Sequence, residues 1–287
     1  MDTATAEALF REARESWEAQ EWQRSASAYE RLLAAFPDGE SSPGWWFDAA
    51  LAYKHLRNWP KAYELGLQAA ARAERGVSDP AFWNLGIAAT VLREWETARE
   101  AWTGYGVTIP PGAGPIEGQF GSACVRIDTG GGQEVVWARR LCPTRARVIN
   151  VPFAASRRFG EVVLHDGVPN GERMFQDRSY PVFDEILLFE PSAVATASVT
   201  VHAPAEDVSA LCLMFDEHPD MCAEPLSSGV VLCKCCSEGT ITQERTFHAG
   251  EQVVLIAAPL DTAAAMLDRW RDERPQTRSW TNLHLAT

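Results

Sequence analysis

The sequence predicts an α+β protein: an all-α solenoid of three helix pairs, then a mainly antiparallel β domain carrying a C-terminal helix. Three observations predict it. Tryptophan, small residues and proline recur with a period of 36 to 37 residues through the first 110 residues. A stretch rich in proline and glycine interrupts that pattern between residues 107 and 118. From about residue 119 the apolar residues alternate at the period of a strand instead of that of a helix.

In the helical part, Trp22, Trp59 and Trp95 each open the second helix of a pair, and Ser25, Ala62 and Ala98 follow three residues later. The small contact residue of each first helix is Ala13, Ala50 and then Gly86, with bulky Leu9, Trp46 and Phe82 four residues before it. The first pair runs through residues 4–37 as AEALFREARESWEAQE and WQRSASAYERLLAAF. The second covers 43–76 as GWWFDAALAYKHLRN and WPKAYELGLQAAARAE, with Pro60 in a first turn, where a missing N–H does no harm. The third begins at Asp79 and Pro80, a capping residue before the favoured N1 proline, and ends near Tyr105.

Three prolines and four glycines in VTIPPGAGPIEGQFG cannot continue a helix, which places a linker at 107–118 between a helical domain (1–106) and a β-rich domain (119–287). Candidate strands are ACVRID, EVVWARRL, RARVINVP, GEVVLHD, EILLFE, SVTVHA, SALCLMF, GVVLCKC and EQVVLIAA, punctuated by TGGGQ, DGVPNGE and HPD turns. They predict a sandwich or a barrel. One helix, DTAAAMLDRWRDE, follows Pro259 with Asp261 as its expected N-cap, and PQTRSWTNLHLAT reads as a tail that orders where Trp280 docks.

Composition limits function. A length of 287 residues suits two domains, and a hydrophobic content of 46% is ordinary for a globular protein. The formal net charge of −13 opposes nucleic-acid binding, which needs Lys and Arg against phosphates, and suits a basic protein partner. The start MDTATAEALFREARE has no basic segment followed by an apolar one, and no apolar run approaches the ~18 residues of a membrane span, so the chain reads as cytoplasmic and not membrane-bound. Its seven Cys then read as reduced thiols. No G-x-S-x-G, H-E-x-x-H, P-loop or dinucleotide-binding glycine pattern is present, and TGGGQ lacks the following helix that phosphate binding needs.

The period, the Trp-x2-small spacing and the small contact residues together resemble the tetratricopeptide (TPR) repeat, a helix-turn-helix unit of about 34 residues that stacks into a superhelix. Segments WARRLCPTRARVINVPF, FGEVVLHDGVPNGER and PVFDEILLFE of the second half resemble an uncharacterised β-rich domain found in bacterial TPR-containing proteins. The TPR resemblance implies a binding protein, not an enzyme, whose first helices line a concave groove. That lining is Phe10, Arg11, Arg14 and Trp17, then Phe47, Asp48, Leu51, Lys54 and His55, then Trp83, Asn84 and Ile87. Positions matching the Lys/Asn/Arg clamp of chaperone-binding members carry Phe10, Arg14, Asp48, Pro80 and Asn84, so the clamp is not kept. Trp17, Phe47 and Trp83 have an alternative reading as helix-packing residues. The more specific expectation is an adaptor or bacterial immunity protein that masks a basic toxin domain. The alternative from another class is an enzyme or metal-dependent sensor with its site in the β domain.

Three features of that β domain carry candidate chemistry. Six Arg and no acid lie between Arg139 and Arg158, whereas nine acids and no Lys or Arg lie between Ser179 and Cys233. Such a field steers a basic partner, or else its acids neutralise the Arg segment across the sheet. His218-x3-Cys222 followed by Cys233-x2-Cys236 has the spacing of a structural zinc site, against a reading of the cysteines as small buried hydrophobes. His165 and Asp166 put an imidazole beside a carboxylate, although neighbours at a strand end point to opposite faces.

Overall fold

A computed structural model describes residues 1–175, 177–226, 240–242 and 247–286. The chain divides into two compact units, Met1–Gly118 and Gln119–Thr287.

Six helices build the first unit: α1 (Thr3–Glu18), α2 (Trp22–Ala35), α3 (Ser42–His55), α4 (Trp59–Ala71), α5 (Pro80–Val91) and α6 (Trp95–Tyr105). Asp2, Asn58 and Asp79 cap α1, α4 and α5 by accepting from the N–H groups of Thr5, Lys61 and Ala81. The turns α1–α2, α3–α4 and α5–α6 repeat one geometry. Gln20, Arg57 and Arg93 stand at φ +58°, +55° and +62°, and each lies two residues before the tryptophan that opens the next helix. The following N–H closes back on the last turn: Glu21 to Ser16 at 2.8 Å, Asn58 to Tyr53 at 2.9 Å and Glu94 to Ala89 at 2.9 Å. This is the Schellman cap, held three times by residues that are not glycine.

Small residues let the helices approach. Ala13, Ala50, Ser25, Ala62 and Ala98 are buried, and Ser25 Oγ donates to the Ala13 carbonyl at 2.9 Å. A close approach joins α5 and α6. A Cβ on Gly86 would stand 2.6 Å from the Trp102 ring, and one on Gly104 would stand 2.5 Å from the Phe82 ring. Two rings thus fill the space that two glycines leave. After α6 the Pro/Gly stretch is strapped to that helix, because Arg99 donates to the carbonyls of Pro110, Gly114 and Pro115 at 3.4, 2.6 and 3.4 Å.

The second unit opens with β1 (Ser122–Asp128), β2 (Gln133–Arg140), β3 (Arg145–Val148), β4 (Val162–His165), β5 (Glu172–Phe175) and β6 (Arg178–Glu190). Strands β1 to β4 pair in succession, β4 pairs with β6, and β6 returns to β1, which closes a five-stranded barrel. All pairs are antiparallel except the last, since a meander of odd strand number brings its first and last strands together in the same direction. β6 serves three neighbours in turn: β5 at its start, β1 at Val182, Phe183 and Asp184, and β4 toward its end. Val125, Ile127, Val136, Ala138, Ala146, Val148 and Val163 form a fully buried core. β9 (Thr240–Thr242) adds to β5 in parallel.

A four-stranded antiparallel sheet follows, made of β7 (Thr196–Ala203), β8 (Cys222–Pro225), β10 (Gly250–Ala257) and β11 (Ser279–Leu285) in the order β11-β7-β10-β8. Helix α7 (Ala205–Asp216) joins β7 to β8, and α8 (Leu260–Glu273) joins β10 to β11. Apart from β9, the described residues follow the β-α-β-β-α-β order of a split βαβ, or ferredoxin-like, sandwich. Val199, Val201, Val254 and Ile256 of the sheet pack with Val208, Leu211 and Phe215 of α7 and with Leu267 and Trp270 of α8.

The architecture is α+β, and three details depart from expectation. SALCLMF belongs to α7, not to a strand: Val208, Leu211, Cys212 and Phe215 are the buried face, at helical spacings of three and four, with Glu206 and Asp207 favourably in the first turn. Residues 279–285 are β11, with Trp280 packed on the sheet–helix core, so the end is a strand and not a tail. Asp261 lies in the first turn of α8, whose N-cap is Pro259. The strand expected at 229–235 lies outside the described residues.

Candidate protein-binding face

Helix α3 lies between α1 and α5. The Phe10 and Trp45 rings are 6.4 Å apart and those of Trp17 and His55 are 5.8 Å apart, both across α1 and α3. Lys54 Nζ donates to Asn84 Oδ1 at 3.2 Å, across α3 and α5. The residues expected to line a groove are distributed over these three neighbours: Arg14 and Trp17 on α1, Phe47, Asp48, Leu51, Lys54 and His55 on α3, Trp83 and Asn84 on α5. Arg14 and His55 are exposed and the others are half-buried. Ile87 is fully buried, which removes it from any surface.

The half-burial has more than one cause. Trp17 is edge-on to Trp22 at 5.0 Å, and Trp22 stacks on His55 at 4.3 Å, so three rings form one cluster. Trp83 is edge-on to Trp102 at 5.1 Å and to Tyr105 at 4.8 Å. Both expected aromatics therefore pack between helices while keeping part of their surface exposed. Trp22, Trp45 and Tyr29 take part in this region without having been expected there. Trp22 and Trp45 carry a sequence signal as aromatics beside helix ends; Tyr29 carries none, because it sits on the buried side of α2.

Asp48 is the acidic member of the α3 set. On α3 it precedes Leu51 by three residues, so the carboxylate shares a helix face with that apolar side chain. Burial pushes its carboxyl above the ordinary carboxylate range, opposed by the Tyr29 phenol and the Arg14 guanidinium. The same burial and the Asp48 charge push the Tyr29 phenol up. The face thus offers aromatic and apolar surface, an exposed guanidinium and a carboxylate that is only partly hydrated.

In the β-rich unit most of the conspicuous chemistry is internal. Arg126 pairs with Asp184, and Arg157 holds Glu185 through two N–H groups at 2.8 Å each and Glu161 through a third at 2.8 Å. Arg278 and Arg274 hold Asp207 at 2.7 and 3.0 Å. The acidic run is therefore partly neutralised within the fold, by Arg157 of the Arg-rich segment and by arginines from elsewhere. Glu206, Asp216, Glu217 and Asp220 remain exposed around α7.

Of the expected zinc ligands, Cys222 is buried and His218 is exposed, while Cys233 and Cys236 lie outside the described residues. Among the described residues no three His, Cys, Asp or Glu side chains are grouped to hold a metal ion. His165 is fully buried, stacked on Phe183 at 4.5 Å, with Nδ1 2.6 Å from the Asp166 carbonyl. The Asp166 carboxylate accepts instead from the Gly167 N–H at 2.7 Å. Burial lowers the His165 pKa to about 4, helped by nearby Arg140, so the ring is neutral and shielded from solvent.

No protein-family model matches the chain, and no curated protein matches it. Solved structures similar to it are TPR domains, over roughly its N-terminal 100 residues. The TPR2B domain of yeast Sti1, in a complex with an Hsp70 peptide, is 19% identical with a TM-score of 0.31, covering 36% of this chain and 78% of its own. The first TPR of Spaghetti (RPAP3), bound to the Hsp90 peptide SRMEEVD, is 19% identical with a TM-score of 0.31, covering 37% and 79%. The C-terminal TPR-containing domain of an FK506-binding protein from Plasmodium falciparum is 18% identical with a TM-score of 0.31, covering 36% and 75%. Among the described residues no helix is long and apolar enough to cross a membrane.

Proposed function

We propose that this chain is a non-catalytic protein-interaction protein, a TPR adaptor whose helical unit holds a segment of another protein against α3. One observation carries the reading. Phe47, Asp48 and Leu51 present mixed apolar and acidic surface on a helix flanked on both sides by others that contribute aromatic and charged groups. Aromatic and apolar anchors beside a polar group are the composition from which interface hot spots are built. The finer form is a cytoplasmic bacterial immunity protein that masks a basic toxin domain; its support is the net charge of −13.

Panning short random peptides against the full chain tests the reading, followed by solution binding of those enriched. Leu51→Glu should abolish binding at an unchanged melting temperature. Failure to enrich any peptide, or binding that survives both Leu51→Glu and Phe47→Glu, would remove the α3 face from the function.

A further inference from the structure

We propose that the four-stranded sheet of the β-rich unit holds a small neutral polyhydroxylated ligand, a sugar or sugar alcohol, on hydroxyl, imidazole and carboxylate groups at one end of the face opposite α7 and α8. The site lies in the second unit, so it goes beyond the adaptor reading and stands or falls separately from it.

The alternation of three strands builds the surface. Val199, Val201 and Ala203 of β7 belong to the core under α7 and α8, so Thr200 and His202 project from the opposite face. Trp280 of β11 and Val254 of β10 belong to the same core, which sends Ser279, Thr281 and Glu251 the other way. Register then sets these side chains in rows. Ser279, His202 and Glu251 are direct neighbours across β11, β7 and β10, and Thr281 stands opposite Thr200 in the next row. Cross-strand neighbours of this kind lie about 5 Å apart at Cβ, so one sugar ring spans two of them. Farther along the same face, Leu255 and Ala257 are buried with Val151 and Phe159. The face therefore changes from apolar and covered to polar and open, since His202, Glu251, Ser279 and Thr281 are all exposed.

Two adjoining clefts frame the patch and share His202 and Ser279. One, of about 440 Å³, continues to Pro204, Ala249 and Pro275; the other, of about 240 Å³, continues to Thr200, Glu251 and Thr281. The larger alone is within the ~300–1,000 Å³ of small-molecule sites. Arg278 lines it, with its guanidinium held by Asp207 at 2.7 Å, Glu273 at 3.1 Å and the Trp270 carbonyl at 2.7 Å. That residue fixes the wall at 275–278 and supplies no spare positive charge. The chemistry of the patch selects the ligand. Hydroxyls donate and accept, an imidazole offers two ring nitrogens and a carboxylate accepts through two oxygens, which together match the donor and acceptor of adjacent hydroxyl groups. A phosphate or carboxylate ligand would find the one guanidinium of the lining already paired and would meet the charge of Glu251. An apolar ligand would strip water from these polar side chains without replacing their hydrogen bonds.

Saturation-transfer NMR on the full chain with glucose, maltose and sorbitol tests the site, with glucosamine as the cationic analogue and glucuronate as the anionic one. At least one neutral compound should bind. His202→Ala and Glu251→Ala should each weaken that binding about tenfold or more, at an unchanged melting temperature because both side chains are exposed. If either variant is destabilised, the amide shifts of Thr200, Gly250 and Ser279 on adding the sugar to the wild type decide instead, since they move only when the sugar sits on this patch. No binding by any neutral compound, binding by glucosamine or glucuronate alone, or binding that survives both substitutions would each overturn the inference and leave the adaptor reading untouched.

Discussion

Gly86→Ala adds one methyl group at a close contact between α5 and α6. The new Cβ would meet three atoms of the Trp102 ring at 2.6 to 2.7 Å, closer than real Cβ atoms come to any neighbour. Trp102 is fully buried and Trp83 stands edge-on to it at 5.1 Å, so the ring has no open direction in which to yield. Overpacking of this kind costs about 1–3 kcal/mol, and the better helix propensity of alanine returns about 1 kcal/mol. With three ring atoms in conflict the upper part of that range applies, for a net loss of about 1–2 kcal/mol. Gly66→Ala is the internal control. Its Cβ would meet Leu85 at 3.5 Å, an ordinary contact, so only the propensity term remains and the variant should be neutral or stabilised by up to about 1 kcal/mol. Native-state hydrogen exchange of α5 and α6 amides reads both variants, and urea unfolding monitored by tryptophan fluorescence provides a second measure. Equal stability of the two variants would refute the close approach of α5 and α6.

Two further outcomes follow from single residues. The folded His165 is neutral with a pKa of about 4, whereas the unfolded ring titrates near 6.5. Above pH 6.5 neither state binds the proton and the residue is silent; as pH falls toward 4 only the unfolded state takes it up, and stability drops by about 3 kcal/mol. His165→Gln should flatten that loss, and urea midpoints of both proteins between pH 7.5 and 4 check it; parallel curves would show the ring is accessible. Arg57 at φ +55° bears the left-handed strain of a non-glycine residue, so Arg57→Gly should stabilise by up to about 1 kcal/mol. A lowered melting temperature would mean that the side chain makes a contact worth more than the strain.

The candidate face was legible to different degrees. Repeat spacing placed Phe47, Asp48 and Leu51 on a first helix, which the structure leaves half-buried. The same spacing put Ile87 in the lining, yet it is fully buried, because α5 is apolar on nearly all sides and spacing alone does not tell which side meets solvent. Tyr29 was invisible as a site residue: its role depends on α2 packing under α3, a contact between helices and not a pattern within one. The acidic run left two readings open for a related reason, since Asp184, Glu185 and Asp207 find their arginines 58, 28 and 71 positions away.

What the sequence determined by itself is local. Trp22, Trp59 and Trp95 begin their helices because each follows the same three-residue turn, and Asp79-Pro80 starts α5 through capping chemistry that needs no distant partner. Tertiary structure decided the rest. The helical state of 205–216 depends on its apolar face meeting the β7–β10 sheet, the order of the C-terminal residues depends on pairing with β7, and the barrel closes only when β6 reaches β1. A run such as SALCLMF satisfies strand and helix about equally on its own; the surface available to bury it makes the choice.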